Sequence, residues 1–535
     1  MSTQVLIVDA LSAGKGTRTS SRDSIGCGPR TVAGVMEGVG LECRIVRAEE
    51  LLSGWDKWKS FEHLAISAMS MDTPAVKRIA KNWRRLHRAC RILIGGPIAF
   101  EVDKILRETP ADALVIGEGE ATLKELIQEG FFNEDIDLSS VDGIAYRVNG
   151  RTVTTKQREY ISENELSEKY GPSVNRIVDY KGYRASRVYV EAVRGCSNFN
   201  RTRIRLPDGR VCSECGNCDS ENPVARLNCP EDIPPGCGFC SVPATWGVPR
   251  SRNENEIVDE VRELLSIGVH RIVLEAPGFL DYKRGSGNNP LTDPCSPPPN
   301  LDAISSLLQE LTNLPEFEKG LAHITIENIK ACLFTEEVAE TLSRFLGNIS
   351  PNIGLETGSG THSAIIGKCG GPQQVVDAVR IAAKHKMHPY IYFIYGMPGE
   401  DEQSLKDSLR LMNEVSNAGA ERIILYGFRP LPNSAFADFP APTAGYRYGR
   451  ILKKQASKIN RRKKRNYIGT TVRGIAAEPS STHHGYTMVY PLAEGPLLTV
   501  RGGYSSGRLL DVKVTQILSP GLLKGEVERD PNESD

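Results

Sequence analysis

Arg194-Gly-Cys196 and, some forty residues later, Gly236-Cys237-Gly-Phe-Cys240 are the stretches whose reading decides the fold. Seven of the chain's thirteen cysteines lie from the first to the last of these thiols. Disulfides are rare in reducing compartments, so cysteines clustered this way point to metal binding or redox chemistry. Three thiolates on a four-iron cluster leave one iron open to an exchangeable ligand. Cys-x-x-Cys alone serves zinc and dithiol chemistry as well, so the neighbouring sequence has to decide. Between the two stretches run Cys212-x-x-Cys215-x-x-Cys218 and Cys229-Pro230. Once Cys196, Cys237 and Cys240 are set aside, these four remain, enough for a closed zinc site or an auxiliary iron–sulfur cluster. Cys229 is also a second candidate for the first cluster ligand. The other six cysteines are scattered, and each reads as a small buried hydrophobe.

Outward from the cysteines, the chain alternates short apolar runs with helical patterns. Residues 1–130 carry strand-like Val5–Val8, Ala65–Ala68, Ile92–Ile94 and Leu114–Ile116, separated by enough chain for crossover helices. That is a doubly wound α/β pattern, which binds ligands beyond the strand C-termini. There the loops hold Gly95, Gly96 and Gly117, where a backbone can approach a bulky ligand closely. A connecting stretch, 131–184, contains a hairpin signal at Val148-Asn-Gly150. Residues 185–440 form a second α/β series, with strands at Val188–Val193, Arg271–Leu274, Ile324–Ile326, Ile353–Leu355, Tyr390–Tyr395 and Arg422–Tyr426. This is the pattern of a full or partial β/α barrel with its site at the strand C-termini. The insertion at 197–236 is too poor in apolar residues to suggest a core of its own, so a metal would serve to order it. Residues 445–530 pass from a basic helix, Arg461-Arg-Lys-Lys-Arg465, to short strands of a small β-barrel. The last dozen residues are polar and read as frayed.

With 535 residues the chain needs about three domains. Sixty-six basic and sixty-six acidic residues cancel, which argues against retention on nucleic acid or membrane by bulk charge. No apolar run approaches the roughly 18–20 residues that span a bilayer. The chain enters its first strand without a signal-peptide pattern, so a cytoplasmic protein with no membrane partner is expected.

The Arg-Gly-Cys strand end followed by Cys237-Gly-Phe-Cys240 resembles the core motif of the radical S-adenosylmethionine superfamily, Cys-x-x-x-Cys-x-aromatic-Cys, although the family has three residues where this chain has some forty. Further matches follow in family order. Ile353-Gly-Leu-Glu-Thr-Gly-Ser359 resembles its Gly-x-Glu-Ser-Gly strand end, and Ile394-Tyr-Gly-Met-Pro-Gly-Glu400 its Gly-x-Pro-Gly-Glu turn. Gly427-Phe-Arg-Pro-Leu-Pro432 resembles the closing segment of the barrel, and Leu274-Glu-Ala-Pro-Gly278 stands where the amino-group motif belongs. The resemblance implies a 4Fe-4S cluster on Cys196, Cys237 and Cys240 and reductive cleavage of S-adenosylmethionine. By the same resemblance Phe239, Gly396 and Glu400 lie near the adenine, Glu356 and Ser359 near the ribose and methionine, and Glu275 at the amino group. It also implies an electron-donor partner.

Ile92-Leu-Ile-Gly-Gly-Pro97 and Asp112-Ala-Leu-Val-Ile-Gly-Glu-Gly-Glu120 resemble the cobalamin-binding domain that precedes the barrel in one subclass. The cobalt-ligating Asp-x-His-x-x-Gly motif is absent, so cobalamin would be held without a protein imidazole. The C-terminal strands resemble a TRAM domain, an RNA-binding module. Together these features imply a cobalamin-dependent methyltransferase acting on an unactivated sp3 carbon. The architecture is similar to enzymes that methylate a residue of methyl-coenzyme M reductase, such as its glutamine. The barrel with a TRAM-like domain also resembles methylthiotransferases acting on tRNA or protein, but Cys27, Cys43 and Cys90 lack their cluster spacing.

Overall fold

Val5-Leu-Ile-Val8 is fully buried on both faces, and this makes β1 (Gln4–Asp9) the middle of a sheet. The structure, a computed structural model, describes residues 4–18, 21–285 and 289–529. The chain divides into two units, Met1–Val190 with Arg252–Leu264, and Glu191–Ser251 with Leu265–Asp535. The fold is the mixed α/β class read from the sequence, with a closed barrel at the C-terminal end.

In the first unit, β1 is flanked in parallel by β2 (Glu42–Arg47) and β3 (His63–Ser67). The sheet continues through β4 (Ile92–Gly95) and β5 (Ala113–Val115) to the antiparallel β6 (Ile144–Val148) and β7 (Arg151–Thr154), in the order β2-β1-β3-β4-β5-β6-β7. Helices α1 (Cys27–Gly38), α2 (Thr73–Leu86) and α3 (Gly119–Gln128) supply crossovers, and Trp83 of α2 is wholly buried in the core that also holds Leu64, Ile66 and Ile92. Strand β2 was not among the expected strands. It is an edge strand, and exposed Glu42 and Arg44 interrupt its apolar run. The connecting stretch joins this sheet: Asn149 and Gly150, at φ 50° and 80°, turn β6 into β7.

The sheet order reverses between β1 and β3, where such folds open a crevice. Buried Asp72 ties the two loops there, accepting from the Ser12, Gly14 and Met69 amides at 3.2, 2.7 and 3.0 Å.

In the second unit, β9 (Arg271–Glu275) pairs in parallel with β10 (His323–Ile326), and β11 (Asn352–Glu356) with β12 (Tyr390–Tyr395) and β13 (Arg422–Gly427). Strand β8 (Arg187–Glu191), which precedes the cysteine segment, belongs to the first unit up to Val190. A parallel bridge from Ile329 to Ile353 joins the two groups. Helices α4 (Leu301–Thr312), α5 (Glu336–Phe345), α6 (Gly360–Ile365), α7 (Pro372–Lys384) and α8 (Glu402–Ala418) alternate with these strands. The insertion does bury apolar groups: Leu206 and Ile233 pack with Ile366, Met397, Phe428 and Phe436.

After α9 (Arg447–Lys464), strands β14 (Thr471–Pro479), β15 (Tyr486–Pro491), β16 (Leu497–Arg501), β17 (Leu509–Ser519) and β18 (Leu522–Arg529) close a barrel in the order β14-β15-β16-β18-β17. Its core is Ala476, Val489, Leu498, Val500, Leu510, Val512, Val514 and Leu523. The segment read as frayed is therefore a strand up to Arg529, because Leu523 and Val527 turn inward. Residues 530–535 lie outside the described residues. Among the described residues no helix is long and apolar enough to cross a membrane.

His323, the first residue of β10, stands opposite Arg271. Burial, and then the guanidinium, lower its pKa to about 4. The unfolded chain takes up that proton near pH 6.5, before the folded chain does. His323 therefore costs no stability above about pH 6.5, and stability is lost as pH falls from there towards about 4. The midpoint of denaturant unfolding is expected to drop between pH 7 and pH 5, and His323→Gln to flatten that dependence.

Candidate active site

Cys196 leaves the short strand Val193–Arg194, which pairs with Arg250–Ser251. Its amide donates to the Gly247 carbonyl at 3.1 Å. The second stretch is clamped on both edges. The Gly238 amide donates to the Ile366 carbonyl at 2.7 Å, and the Phe436 amide donates to the Gly238 carbonyl at 2.8 Å. Gly238 has to be glycine, because a β-carbon there would stand 2.4 Å from the Phe436 ring. Phe436 is fully buried and meets Phe428 and Phe439 edge-on. Phe239 packs half-buried on the same cluster.

This clamp brings Cys196, Cys237 and Cys240 together. Burial raises all three thiols, the Cys240 thiol to about 12, and both Cys237 and Cys240 feel Cys196 as a like charge. Among the described residues no three His, Cys, Asp or Glu side chains converge as ligands of one ion. A four-iron cluster does not require that, since each thiolate binds a separate corner and the sulfurs stand further apart than around one ion. The donor set fits such a cluster: three soft ligands, with N–H donors to the sulfurs. Asn198 Nδ2 donates to Cys237 Sγ at 3.2 Å and to the Gly367 carbonyl at 3.0 Å.

Two buried ammonium groups flank the thiols. Lys330 donates to Ser197 Oγ at 2.6 Å and pairs with fully buried Asp281, which also pairs with Arg284 at 2.9 Å. It is the first charge to favour the Cys196 thiolate. Lys368 pairs with Glu356 at 3.3 Å and does the same for Cys237. Burying these cations without partners would be costly, so the carboxylates and thiols are what hold them. Cys369, read as an inert hydrophobe, lies within electrostatic reach of Cys196, Cys237 and both lysines. Cys295 and Cys332, read the same way, form a disulfide.

The remaining candidates have identifiable places. Glu275 and Glu356 end strands β9 and β11, and Glu356 adopts φ 65°. Burial raises the Glu356 pKa against the pull of Lys368. Ser359 Oγ accepts from the His362 amide at 3.3 Å, capping α6. Glu400 accepts from the Gly396 amide at 2.8 Å and from the Tyr446 hydroxyl at 2.6 Å, closing the turn between β12 and α8. Gly396 is required there by Pro442, 2.6 Å from where a β-carbon would stand. Cys229 groups elsewhere: it hydrogen-bonds Arg201, whose guanidinium also faces Cys215 and Cys218, and Cys212 neighbours Cys218. These four thiols are neighbours but are not gathered in single-ion geometry. In the first unit, Gly96 is needed against the Ala68 carbonyl, 2.7 Å from a β-carbon position, and Gly95 makes ordinary contacts. Gly117, at φ 78°, has open space where a β-carbon would stand.

Sequence reasoning missed Asn198, Lys330, Lys368, Cys369 and Phe436. Only Lys368-Cys369 carries a trace, lying just beyond the Glu356–Ser359 motif.

Comparison with known proteins agrees with this geometry. The model of the Radical SAM superfamily matches residues 228–412, a range that takes in Cys229, Cys237 and Cys240 but begins after Cys196. The radical S-adenosylmethionine methyltransferase TsrM from Kitasatospora setae, solved with cobalamin and a 4Fe-4S cluster, shares the fold with a TM-score of 0.57 at 14% identity, over 82% of this chain and 77% of that one. The cobalamin-dependent S-adenosylmethionine radical enzyme OxsB aligns with a TM-score of 0.54 at 13% identity, over 86% of this chain and 56% of that one. The chain thus carries a Radical SAM superfamily domain over residues 228–412, within the fold seen in TsrM and OxsB. More narrowly, it belongs to the family of MK0932 from Methanopyrus kandleri, with which it is 39% identical over 99% of this chain and 97% of that protein. MJ1620 from Methanocaldococcus jannaschii is likewise 39% identical, over 94% of each chain. The tRNA-2-methylthio-N(6)-dimethylallyladenosine synthase of Citrifermentans bemidjiense is 28% identical over 55% of this chain and 63% of that one.

The Gly238–Phe436 contact makes a direct prediction. Gly238→Ala is expected to bind less than half the iron that the unsubstituted chain takes up on reconstitution, measured by metal analysis. Gly445→Ala, where a β-carbon meets nothing within 4 Å, is expected to load normally. Adding Phe436→Leu to Gly238→Ala should restore part of the loss.

Proposed function

We propose that this protein is a cobalamin-dependent radical S-adenosylmethionine methyltransferase that methylates an unactivated sp3 carbon. The observation that carries the reading is the likeness to TsrM over 82% of the chain, which takes in more than the barrel. When bound, the cluster, S-adenosylmethionine and corrinoid supply reductive cleavage, hydrogen abstraction and the methyl group.

The chain's own part is to bind, orient and shield. Cys196, Cys237 and Cys240 hold the cluster, and the Gly238–Phe436 contact fixes the loop that bears two of them. Lys330 and Lys368 offset thiolate charge in a site from which water is largely excluded. Phe239, Gly396 and Glu400 serve the adenine, Glu356 and Ser359 the ribose and methionine, and Glu275 the amino group. In the first unit the β4 and β5 loops, with Gly95, Gly96 and Gly117, take the corrinoid. The insertion thiols Cys212, Cys215, Cys218 and Cys229 take a second metal once Arg201 gives way. The acceptor is a protein, a glutamine of methyl-coenzyme M reductase, on the resemblance in sequence alone, and a separate electron donor reduces the cluster.

A methylthiotransferase acting on tRNA or protein is the second reading, favoured by the 28% identity to the tRNA-modifying synthase. It needs a second cluster in residues 1–130. There Cys27 donates to the Tyr189 carbonyl at 3.0 Å and Cys43 to the Ala33 carbonyl at 3.9 Å, so these thiols are turned to separate partners.

Anaerobic reconstitution with iron, sulfide and hydroxocobalamin separates the readings. Corrinoid absorbance retained on the protein, together with 5′-deoxyadenosine formation, is expected. Cys196→Ala and Cys237→Ala are expected to lose at least 90% of 5′-deoxyadenosine, and Cys229→Ala to keep most of it. No corrinoid uptake, with iron that disappears in Cys27→Ala or Cys90→Ala, would favour the methylthiotransferase.

A further inference from the structure

Five of the six scattered cysteines have an evident structural place. Cys295 and Cys332 are bonded to each other, Cys27 and Cys43 donate to carbonyls, and Cys90 is buried in the core of the first sheet. Cys369 differs from them. It is half-buried and in no disulfide, and among the described residues its thiol donates to no acceptor.

The backbone brings Cys369 to the cluster loop. The Ile366 carbonyl accepts from the Gly238 amide at 2.7 Å. The Gly367 carbonyl accepts from Asn198 Nδ2, which also donates to Cys237 Sγ. Gly367 lies so near the loop that a β-carbon there would stand 3.1 Å from the Gly236 carbonyl. Residues 366–368 therefore run beside the segment bearing Cys237 and Cys240, and Cys369 comes next. On its other flank Gly370 is set against Cys332, whose Cβ is 3.7 Å from a β-carbon position on Gly370. The thiol itself acts as a like charge on Cys196 and Cys237 and as an opposite charge on Lys330 and Lys368.

Four thiols and two ammonium groups thus share one site, and the three-cysteine assignment employs only three of the thiols. A four-iron cluster has four corners. With Cys196, Cys237 and Cys240 on three of them, the fourth iron takes an exchangeable ligand, for which a soft thiolate is better suited than water. The surrounding charge suits one more anion, since Lys330 and Arg284 together exceed their shared Asp281 by one positive charge.

We propose that Cys369 is a fourth, displaceable ligand of the cluster, closing the open iron until S-adenosylmethionine takes its place. Binding forms one iron–sulfur bond and releases the thiol proton to water. Displacement breaks that bond, the thiolate regains a proton, and no electron moves in either direction. The resting cluster is thereby kept from losing iron. This inference rests on the cluster of the proposed function and on no part of the methyl transfer.

The test uses the full chain reconstituted with iron and sulfide, without S-adenosylmethionine, oxidised with ferricyanide and followed by electron paramagnetic resonance. A corner without a thiolate gives up its iron and leaves a three-iron signal, whereas a cluster on four thiolates stays whole. Fewer than about a quarter of the clusters in the unsubstituted chain are expected to convert, with at least twofold more conversion in Cys369→Ala. Cys369→Ser, whose oxygen can still hold iron, is expected to fall between them. S-adenosylmethionine, titrated by the change it makes in the signal of the reduced cluster, is expected to bind Cys369→Ala at least threefold more tightly, because its competitor is gone. Should Cys369→Ala fail to fold, the unsubstituted chain decides alone: conversion of most of its clusters overturns the proposal. Equal conversion in Cys369→Ala and the unsubstituted chain overturns it as well, while leaving the three-cysteine cluster in place. An unsubstituted chain that takes up no four-iron cluster defeats the proposed function and this inference together.

Discussion

The site depends on one contact: the backbone of Gly238 set against the outer end of the Phe436 ring, with no space for a β-carbon between them. The loop needs this support because Cys237 and Cys240 are only three residues apart and cannot fix their own orientation. Hydrogen bonds from Gly238 to Ile366 and from Phe436 to Gly238 hold the loop between segments more than a hundred residues away in sequence. Phe436 is held in turn by Phe428 and Phe439, so the orientation of two thiols rests on an aromatic cluster at the end of the barrel series.

Charge is the second constraint. Three thiolates in a buried site would repel one another, and burial opposes ionising any of them. The chain answers with Lys330 and Lys368, each buried and each anchored by a carboxylate, Asp281 and Glu356. Because every ammonium has its own carboxylate, the lysines stay in place whether or not the thiols are ionised. Glu356 thus serves as the anchor of Lys368, in addition to standing where the family's ribose-facing carboxylate belongs. Ser359 and Glu400 have comparable local duties, as a helix cap and as the closure of a turn. Motif residues here build the loops that carry the site.

Much of the fold was legible because its signals are local. Buried parallel strands are continuous apolar runs, and Val5–Val8, Ile92–Ile94, Ile353–Leu355 and Tyr390–Tyr395 all fall within strands. Asn149-Gly150 turned the chain as the dipeptide requires. Strand β2 was illegible because exposed charges break its pattern, and β18 because its inward Leu523 and Val527 lie among polar residues. The insertion looked coreless because its apolar groups, Leu206 and Ile233, are few and find partners in the barrel.

The sequence by itself determined the order of elements, the presence of a Cys-x-x-Cys loop after a strand ending in Arg-Gly-Cys, and the glycine turns at the strand ends. Each depends on residues within one turn or one strand of each other. Only the tertiary structure decided that Cys196 joins Cys237 and Cys240 while Cys229 lies with Cys215 and Cys218 around Arg201. It also paired Cys295 with Cys332 and set Lys330 and Lys368 beside the thiols. Those outcomes are contacts between residues far apart in the chain. Packing and charge compensation select them, and no local spacing records which distant side chain will be the partner.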